Sequence, residues 1–393
     1  MRVVINGWFW GQTATGSGQY LHHLLAHLAE VAPQHEYILA VPKGIPGART
    51  TRRVPRTTQH VTCATPPAPR IEHVQTPFDR LNLNLAKVWF EQITFPRLCR
   101  RLDADVAHVP YWGSPLRPTV PTVVTIHDLI PLLLPAYRGS VLVRLYTRLV
   151  AAAAHRAEAV VAVSQATRQD IIAHLSLSPA RVWVTYEAAP TCFQRAEPAQ
   201  VEAVRGKYGL PEHFFLCLGG FDVRKNVAGL LAAFARVVER MPSAALVVAG
   251  RLPEKDTSFT PDPRRLAREL GIEARVHWTG WVEEADKPAL YTAAVAFVFP
   301  SRYEGFGLPV LEALACGTPV IASNVSSLPE IVGAAGVLIP PDDVAGLAGA
   351  MERLWRDDAL RGRLQEKALA QASCFSWQRT AQQTVGVYAE VSR

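Results

Sequence analysis

The chain has 393 residues, 49% hydrophobic and 19% charged, with 41 Lys and Arg against 34 Asp and Glu. That length predicts two domains of roughly 150–200 residues each, with ample core. No apolar run approaches the ~18 residues needed to span a bilayer, and MRVVING is too short and abruptly polar for a signal peptide.

Val3-Val4-Ile5 reads as a first strand that breaks at Asn6-Gly7. The loop GWFWGQTATGSG follows, then a helix from about Gln19, whose apolar face is Tyr20, Leu21, Leu24, Leu25, Leu28 and Val31. Strand, glycine-rich loop and helix open a nucleotide-binding unit, although TGSG does not fit G-x-G-x-x-G. Gly16 and Gly18 let the loop approach a ligand or simply turn it. Glu36 to Val41 is a second strand, and residues 42–70, rich in Pro, Arg and Thr, read as a long loop. A mixed apolar and basic helix spans about 80–95 and ends near Pro96.

Residues 43–101 hold eleven basic side chains against three acidic ones, an excess greater than the whole chain's net +7. Such a stretch suits nucleic acid, an anionic membrane surface, a phosphorylated acceptor, or a solvated loop face. Nucleic acid is the weakest of these, since no helix-turn-helix, finger or RNA-binding signature accompanies the charge.

Asp105 to Val109 and Thr122 to Ile126 read as buried parallel strands. The second runs into His127-Asp128, at the carboxyl end where open α/β sheets bind ligands. A helix over about 140–157, a strand at 159–163, a helix at 165–175 capped by Ser164 and a strand at 181–185 complete this half. Asp103-Ala104-Asp105 spells D-x-D, a metal-binding signature elsewhere, but it lies at the amino end of a strand and is set aside. The six cysteines, at 63, 99, 192, 217, 316 and 374, show no metal-ligand spacing and read as reduced thiols in a cytoplasm.

Residues 187–212 carry a linker's composition with one short helix, and the alternation then restarts. Strand 214–218 leads into Gly219-Gly220-Phe221-Asp222 and a basic helix start at Arg224-Lys225-Asn226. Strands at 244–249 and 275–278 follow, each with a helix after it, and the stretch VAFVFPSRYEGFGLPVLEALACGTPVIAS runs from Val295 to Ser323. Helices from Leu328, at 343–355 and at 358–372, a strand at 337–339 and a last helix capped by Ser376 close the chain. Two blocks of alternating strands and helices predict an α/β fold with two doubly wound, Rossmann-like parallel sheets.

Within 295–323, Glu304 and Glu312 sit eight positions apart around Gly305-Phe306-Gly307-Leu308. Pro309 suits the first position of a helix, which would put Glu312 in its first turn. The helix start offers N–H groups and dipole to an anion, while the carboxylates would repel phosphate and accept from hydroxyls. The segment asks for a ligand carrying both phosphate and hydroxyl groups.

EGFGLPVLEA, GGFDVRKN, the strand ending in TIHD, SNVSSLPE and the closing FSWQRTAQQTVGVY together resemble the family 4 retaining glycosyltransferases, along nearly the whole chain. The resemblance implies the GT-B fold, two Rossmann-like domains facing across a cleft. It divides the chain into an acceptor-side domain at 1–190, a linker at 191–212, a nucleotide-sugar-binding domain at 213–373 and a helix at 374–393 that crosses back. It implies that Glu312 binds the donor's ribose, that Glu304 lies near the transferred sugar, and that Gly305, Phe306, Gly307 and Leu308 meet sugar or phosphate through their main chain. Gly219, Gly220, Arg224 and Lys225 fall on the diphosphate-binding turn, where many members carry Arg at the position of Gly220. The second cation then comes from Arg224 or elsewhere. His127 matches a histidine that contacts the sugar or diphosphate, Asp128 orients it or touches the acceptor, and Gly16, Ser17 and Gly18 match the loop over the phosphates and acceptor.

The expected reaction is transfer of a hexose from a nucleoside diphosphate sugar to an acceptor hydroxyl with configuration retained, without metal or other cofactor. GDP-mannose is the first expectation for the donor, with UDP- and ADP-sugars open, and a glycan or lipid-linked precursor for the acceptor. The basic 43–101 region then reads as peripheral membrane contact by a cytoplasmic protein. The rivals are a nucleotide-sugar epimerase and a non-catalytic sugar-nucleotide-binding assembly protein.

Overall fold

The computed structural model describes residues 1–13, 15–43, 69–79 and 81–393. Arg49, Arg52, Arg53, Arg56 and Arg80 of the basic stretch, and Cys63, lie outside the described residues. The chain divides into two compact units, one of residues 1–187 with 377–393 and one of residues 188–376.

The first unit is built on β1 (Arg2–Asn6), α1 (Gly16–Val31), β2 (Glu36–Pro42), β3 (Arg70–Val74), α2 (Leu83–Trp89), α3 (Phe95–Arg101), β4 (Val106–Val109), β5 (Thr122–Ile126), α4 (Ile130–Leu133), α5 (Val141–Ala154), β6 (Ala159–Ala162), α6 (Gln165–Leu175) and β7 (Val182–Val184). Its sheet runs β3-β2-β1-β4-β5-β6-β7, and every pair is parallel. The order reverses between β1 and β4, the switch point at which such sheets bind ligands. Val3, Val4, Ile5, Val123 and Val124 are fully buried, as continuous β-branched runs covered on both faces should be.

Three local departures from the sequence reading have physical causes. Helix α1 begins at Gly16, not Gln19, because Thr15 caps it, its hydroxyl accepting from Gly18 N at 3.2 Å. Gly16, Ser17 and Gly18 are therefore a helix's first turn and not a loop. The end of the expected 42–70 loop is strand β3, a sheet edge that needs only Val74 buried. The helix after residue 80 does not stop near Pro96: a π-helical turn, Phe90–Thr94, joins α2 to α3 and leaves Pro96 at a helix start, where proline costs little.

The second unit contains α7 (Pro198–Tyr208), β8 (Phe215–Leu218), α8 (Val227–Arg240), β9 (Leu246–Ala249), α9 (Pro263–Glu269), β10 (Val276–Gly280), α10 (Lys287–Ala293), β11 (Ala296–Phe299), α11 (Leu308–Ala315), β12 (Val320–Ser323), α12 (Leu328–Val332), β13 (Gly336–Ile339), α13 (Val344–Arg356) and α14 (Asp358–Ser373). Its sheet runs β10-β9-β8-β11-β12-β13, again parallel, with the reversal between β8 and β11. Helix α8 turns Leu230, Leu231, Phe234 and Val237 onto the sheet, spaced as one helical face requires.

The last helix, α15 (Trp377–Val391), belongs to the first unit and lies along α1. Trp377 stacks on His23 at 5.1 Å and meets Tyr20 edge-on. Deeper in, His108 Nδ1 is 2.6 Å from Tyr388 Oη and its Nε2 is 2.9 Å from Thr125 Oγ1, all fully buried. Burial pushes the His108 imidazole down to about 3, so it stays neutral, with one nitrogen donating and the other accepting. Tyr388→Phe strands one buried nitrogen and is expected to cost about 1–3 kcal/mol. A urea midpoint equal to wild type at pH 7 would show that this bond contributes nothing.

Candidate active site

In the second unit the chemistry gathers where β8, β9 and β11 end. Gly219 has φ 143° and Gly250, just past β9, has φ 140°; a Cβ on Gly250 would sit 2.2 Å from the Gly219 carbonyl oxygen. Gly219 requires glycine for its conformation, and Gly250 for both conformation and space. The basic turn follows, and Asn226, itself at φ 54°, starts α8. That turn is laced to the chain after β11 and after β13: Arg302 N donates to Arg224 O at 2.7 Å, and Asn226 Nδ2 donates to Pro341 O at 2.8 Å.

Glu304 is the centre of this cluster. Its Oε1 accepts from Lys225 Nζ at 2.7 Å and Ser301 Oγ at 2.6 Å, and forms an ion pair with Arg224 Nη1 at 2.6 Å, a nitrogen that also donates to Tyr303 O at 2.8 Å. Arg224 thus stands beside Lys225 as a second cation at this turn. Lys225 Nζ also lies 4.8 Å from the Phe299 ring centroid. Burial works to raise the Glu304 carboxyl, but the charges of Lys225 and Arg224 outweigh it, and the net shift is downward. Glu304 is ionised, and among the described residues all three donors converge on Oε1, leaving Oε2 outside these bonds.

The loop after Glu304 is held from SNVSSLPE. Ser326 Oγ accepts from Glu304 N at 2.9 Å, and Ser327 Oγ donates to Glu304 O and Phe306 O at 3.0 and 2.7 Å. The Phe306 ring is buried against Phe375, so this residue can offer a ligand only its main chain. Gly307, at φ 106°, starts α11 with Leu308 as its first residue. Glu312 is then the fifth helical residue, in the second turn and not the first, away from the terminal N–H groups. It is buried, accepts from Tyr291 Oη at 3.0 Å, and burial raises its carboxyl to about 7 despite Lys287 and Tyr291.

In the first unit His127 follows directly on β5. Nδ1 donates to Glu187 Oε1 at 2.9 Å and Nε2 donates to Pro110 O at 3.1 Å. Two acceptors on two nitrogens fit an imidazolium. Burial lowers the His127 pKa, but the bond to Glu187 and its charge overcome that, and the net shift is upward. The Tyr20 ring stands edge-on to the imidazole at 4.8 Å. Asp128 does not orient the imidazole: its Oδ1 accepts from Ile130 N at 3.0 Å, at the start of α4, and its charge only reinforces the cation. Gly16, Ser17 and Gly18 open α1, two residues before Tyr20. A Cβ on Gly18 would land 2.1 Å from Gln12 O, whereas one on Gly16 would meet nothing within 4 Å. Gly18 is thus required by packing and Gly16 is free for an approaching ligand.

The sequence reading did not single out Ser301, Tyr291, Gly250, Ser326, Ser327 or Glu187 of these clusters. Glu187 lies three residues beyond β7, on the edge that carries His127, and that position was its only signal. Asp105 of the D-x-D accepts from Arg2 N at 2.6 Å, which ties β4 to β1.

Two doubly wound parallel sheets, with a glycine-flanked cationic turn and paired glutamates at one sheet edge, define a glycosyltransferase of the GT-B class. Residues 14–191 match glycosyltransferase family 4, and residues 201–371 match the glycosyl transferases group 1. O-antigen chain mannosyltransferase B of Escherichia coli is 35% identical over 268 residues, 68% of this chain and 69% of that one. MMP alpha-(1->4)-mannosyltransferase of Mycolicibacterium hassiacum is 29% identical over 95% of this chain and 94% of its own length. Sucrose-phosphate synthase of Thermosynechococcus elongatus, 21% identical, shares the fold with a TM-score of 0.74 over 99% of this chain and 98% of that one. The chain belongs to the family 4 glycosyltransferases.

Proposed function

We propose that this enzyme transfers mannose from GDP-mannose to a hydroxyl of a glycan or lipid-linked precursor, with retention at the anomeric carbon and without a metal. The observation that carries the reading is the convergence of Lys225 and Arg224 on one oxygen of Glu304, beside a glycine turn at a sheet's switch point. Two cations there neutralise the departing diphosphate and supply the charge that a metal supplies elsewhere. Glu304 Oε2 accepts from a hydroxyl of the sugar in transit, and Glu312 accepts from the ribose. The first N–H groups of α11, with Gly305 to Leu308, and the Gly219-Gly220 turn receive phosphate and sugar.

The acceptor hydroxyl attacks the anomeric carbon from the face that the diphosphate leaves. The carbon–oxygen bond to phosphate breaks as the new one forms, and the departing phosphate oxygen takes the proton. In the first unit His127, held cationic by Glu187, is a group suited to an anionic oxygen of sugar or phosphate, and Gly16, Ser17, Gly18 and Asp128 are the residues proposed for phosphate or acceptor. Mannose as the sugar draws support from the two relatives named as mannosyltransferases. Among the described residues no helix is long and apolar enough to cross a membrane. A lipid-linked acceptor is met by peripheral contact at the inner membrane face from a cytoplasmic enzyme, through the basic 43–101 region.

A thermal-shift screen of nucleoside diphosphates and their sugars tests the donor, since the tightest ligand raises Tm most. GDP and GDP-mannose are expected to lead, followed by GDP release and an α-linked product that chelator leaves unchanged. A larger shift with UDP or ADP compounds overturns the donor. A new sugar epimer formed without acceptor makes the protein an epimerase, and binding without turnover makes it a non-catalytic binder.

A further inference from the structure

Helices α2 and α5 begin with apolar side chains turned to water. Leu81 is 79% exposed and Leu142 77%, and Leu83, Leu85, Val141, Val143 and Leu145 are exposed as well. These account for seven of the thirteen exposed large hydrophobic residues among those described, so the apolar exposure is concentrated in two short stretches. The N-caps Asn82 and Ser140 fix both helix starts.

The two helices are tied one turn further in. Lys87 Nζ donates to Tyr146 Oη at 2.7 Å and lies 3.3 Å from the buried Glu91 carboxylate, to which Tyr146 also donates. Leu83 stands four residues before Lys87, and Leu142 four before Tyr146, so each apolar start lies one turn from the joint. Along these two segments the exposed charge is positive, the Glu91 carboxylate at the joint being buried. No Asp or Glu occurs from residue 129 to 157, while Arg138, Arg144, Arg148 and Arg156 do, all four exposed. From Leu81 to Phe90 the only charged residue is Lys87.

We infer that the starts of α2 and α5 form a docking surface for an anionic lipid bilayer. Leu81, Leu83, Leu85, Leu142 and Leu145 enter the boundary between headgroups and acyl chains, and Arg138, Arg144 and Arg148 meet lipid phosphates. Charge selects this occupant: a second copy seated on the same face would set these arginines against one another, whereas an anionic surface satisfies them together. The inference deepens the peripheral contact proposed above and narrows it to two named helices, α2 within the basic stretch and α5 outside it. It stands apart from the transfer chemistry, because vesicle binding needs no donor.

The test is co-sedimentation of the full chain with vesicles of phosphatidylethanolamine and phosphatidylglycerol, against vesicles of phosphatidylcholine. Binding to the anionic vesicles is expected, weakening as salt rises. L142E with L145E should lower partitioning on the order of tenfold or more while far-UV dichroism is unchanged, and R144E with R148E should remove the preference for anionic lipid. Wild-type binding by the leucine variant overturns the inference, as does binding to neither vesicle. A dimer that the leucine substitutions dissolve overturns it in favour of self-association. Protection of residues 81–85 and 141–145 from hydrogen exchange in lipid-free protein would equally overturn it, since the chain itself would cover them. Vesicle binding that persists when neither a soluble nor a lipid acceptor is glycosylated would sink the transfer reading and leave this one standing.

Discussion

Lys225→Ala is expected to lower kcat/KM for the sugar donor more than tenfold, over about 1.4 kcal/mol of transition-state stabilisation. Charge builds on the diphosphate only as the glycosidic bond breaks, so the loss should fall mainly on kcat and less on KM. The same change leaves buried Glu304 with Arg224 as its remaining cation, which should cost about 1–3 kcal/mol of stability. Pairing Lys225→Ala with Glu304→Gln separates the two effects. Stability should recover, because no buried carboxylate is left short of a partner, while turnover stays low because the cation and the carboxylate that meets the sugar are both missing. Unchanged kcat/KM in the single variant would remove the site assignment.

Donor affinity should rise with pH between about 5 and 7 and level off above. Burial raises Glu312 to about 7, against 4.5 for the free carboxyl. Hydroxyls donate to the carboxylate and not to the acid's proton, so donor binds the ionised form and binding releases a proton. Below the folded pKa each pH unit should change affinity by up to about tenfold. Calorimetry in buffers of different ionisation enthalpy reads the released proton directly. Stability moves the other way. The raised pKa costs nothing below pH 4.5, where both states hold the proton. The cost then grows by about 1.4 kcal/mol per pH unit and is complete above the folded value near 7. Glu312→Gln should flatten both profiles, stabilise the protein at pH 8 and weaken donor binding. A pH-independent affinity in the wild type would show that Glu312 does not meet the donor.

The alternation of strands and helices, the two parallel sheets and the stretch 295–323 were legible because buried parallel strands are continuous apolar runs. β3 was not, since an edge strand reading RIEHV needs little apolar surface. The start of α1 was hidden by glycines that look like a loop and act as a capped first turn. The pairing of Lys225 with Glu304 spans 79 positions, and that of His127 with Glu187 spans 60. No periodicity encodes such partners; they meet only because parallel strands deliver their carboxyl ends to one edge. Of the two expectations for Asp128, orienting the imidazole came from adjacency in the chain, but both imidazole nitrogens have other partners, Glu187 and Pro110.

The first unit borrows its last helix from the far end of the chain, and this bears on synthesis. When residue 376 leaves the ribosome, every residue of the second unit already exists. The first unit still lacks the tyrosine that pairs with His108 and the tryptophan that covers Tyr20 and His23. The part made first is therefore the part finished last. Until the final helix emerges, the support beneath Tyr20 and the imidazole beside it is missing, so a nascent or truncated chain carries the whole Glu304 cluster long before His127 is braced.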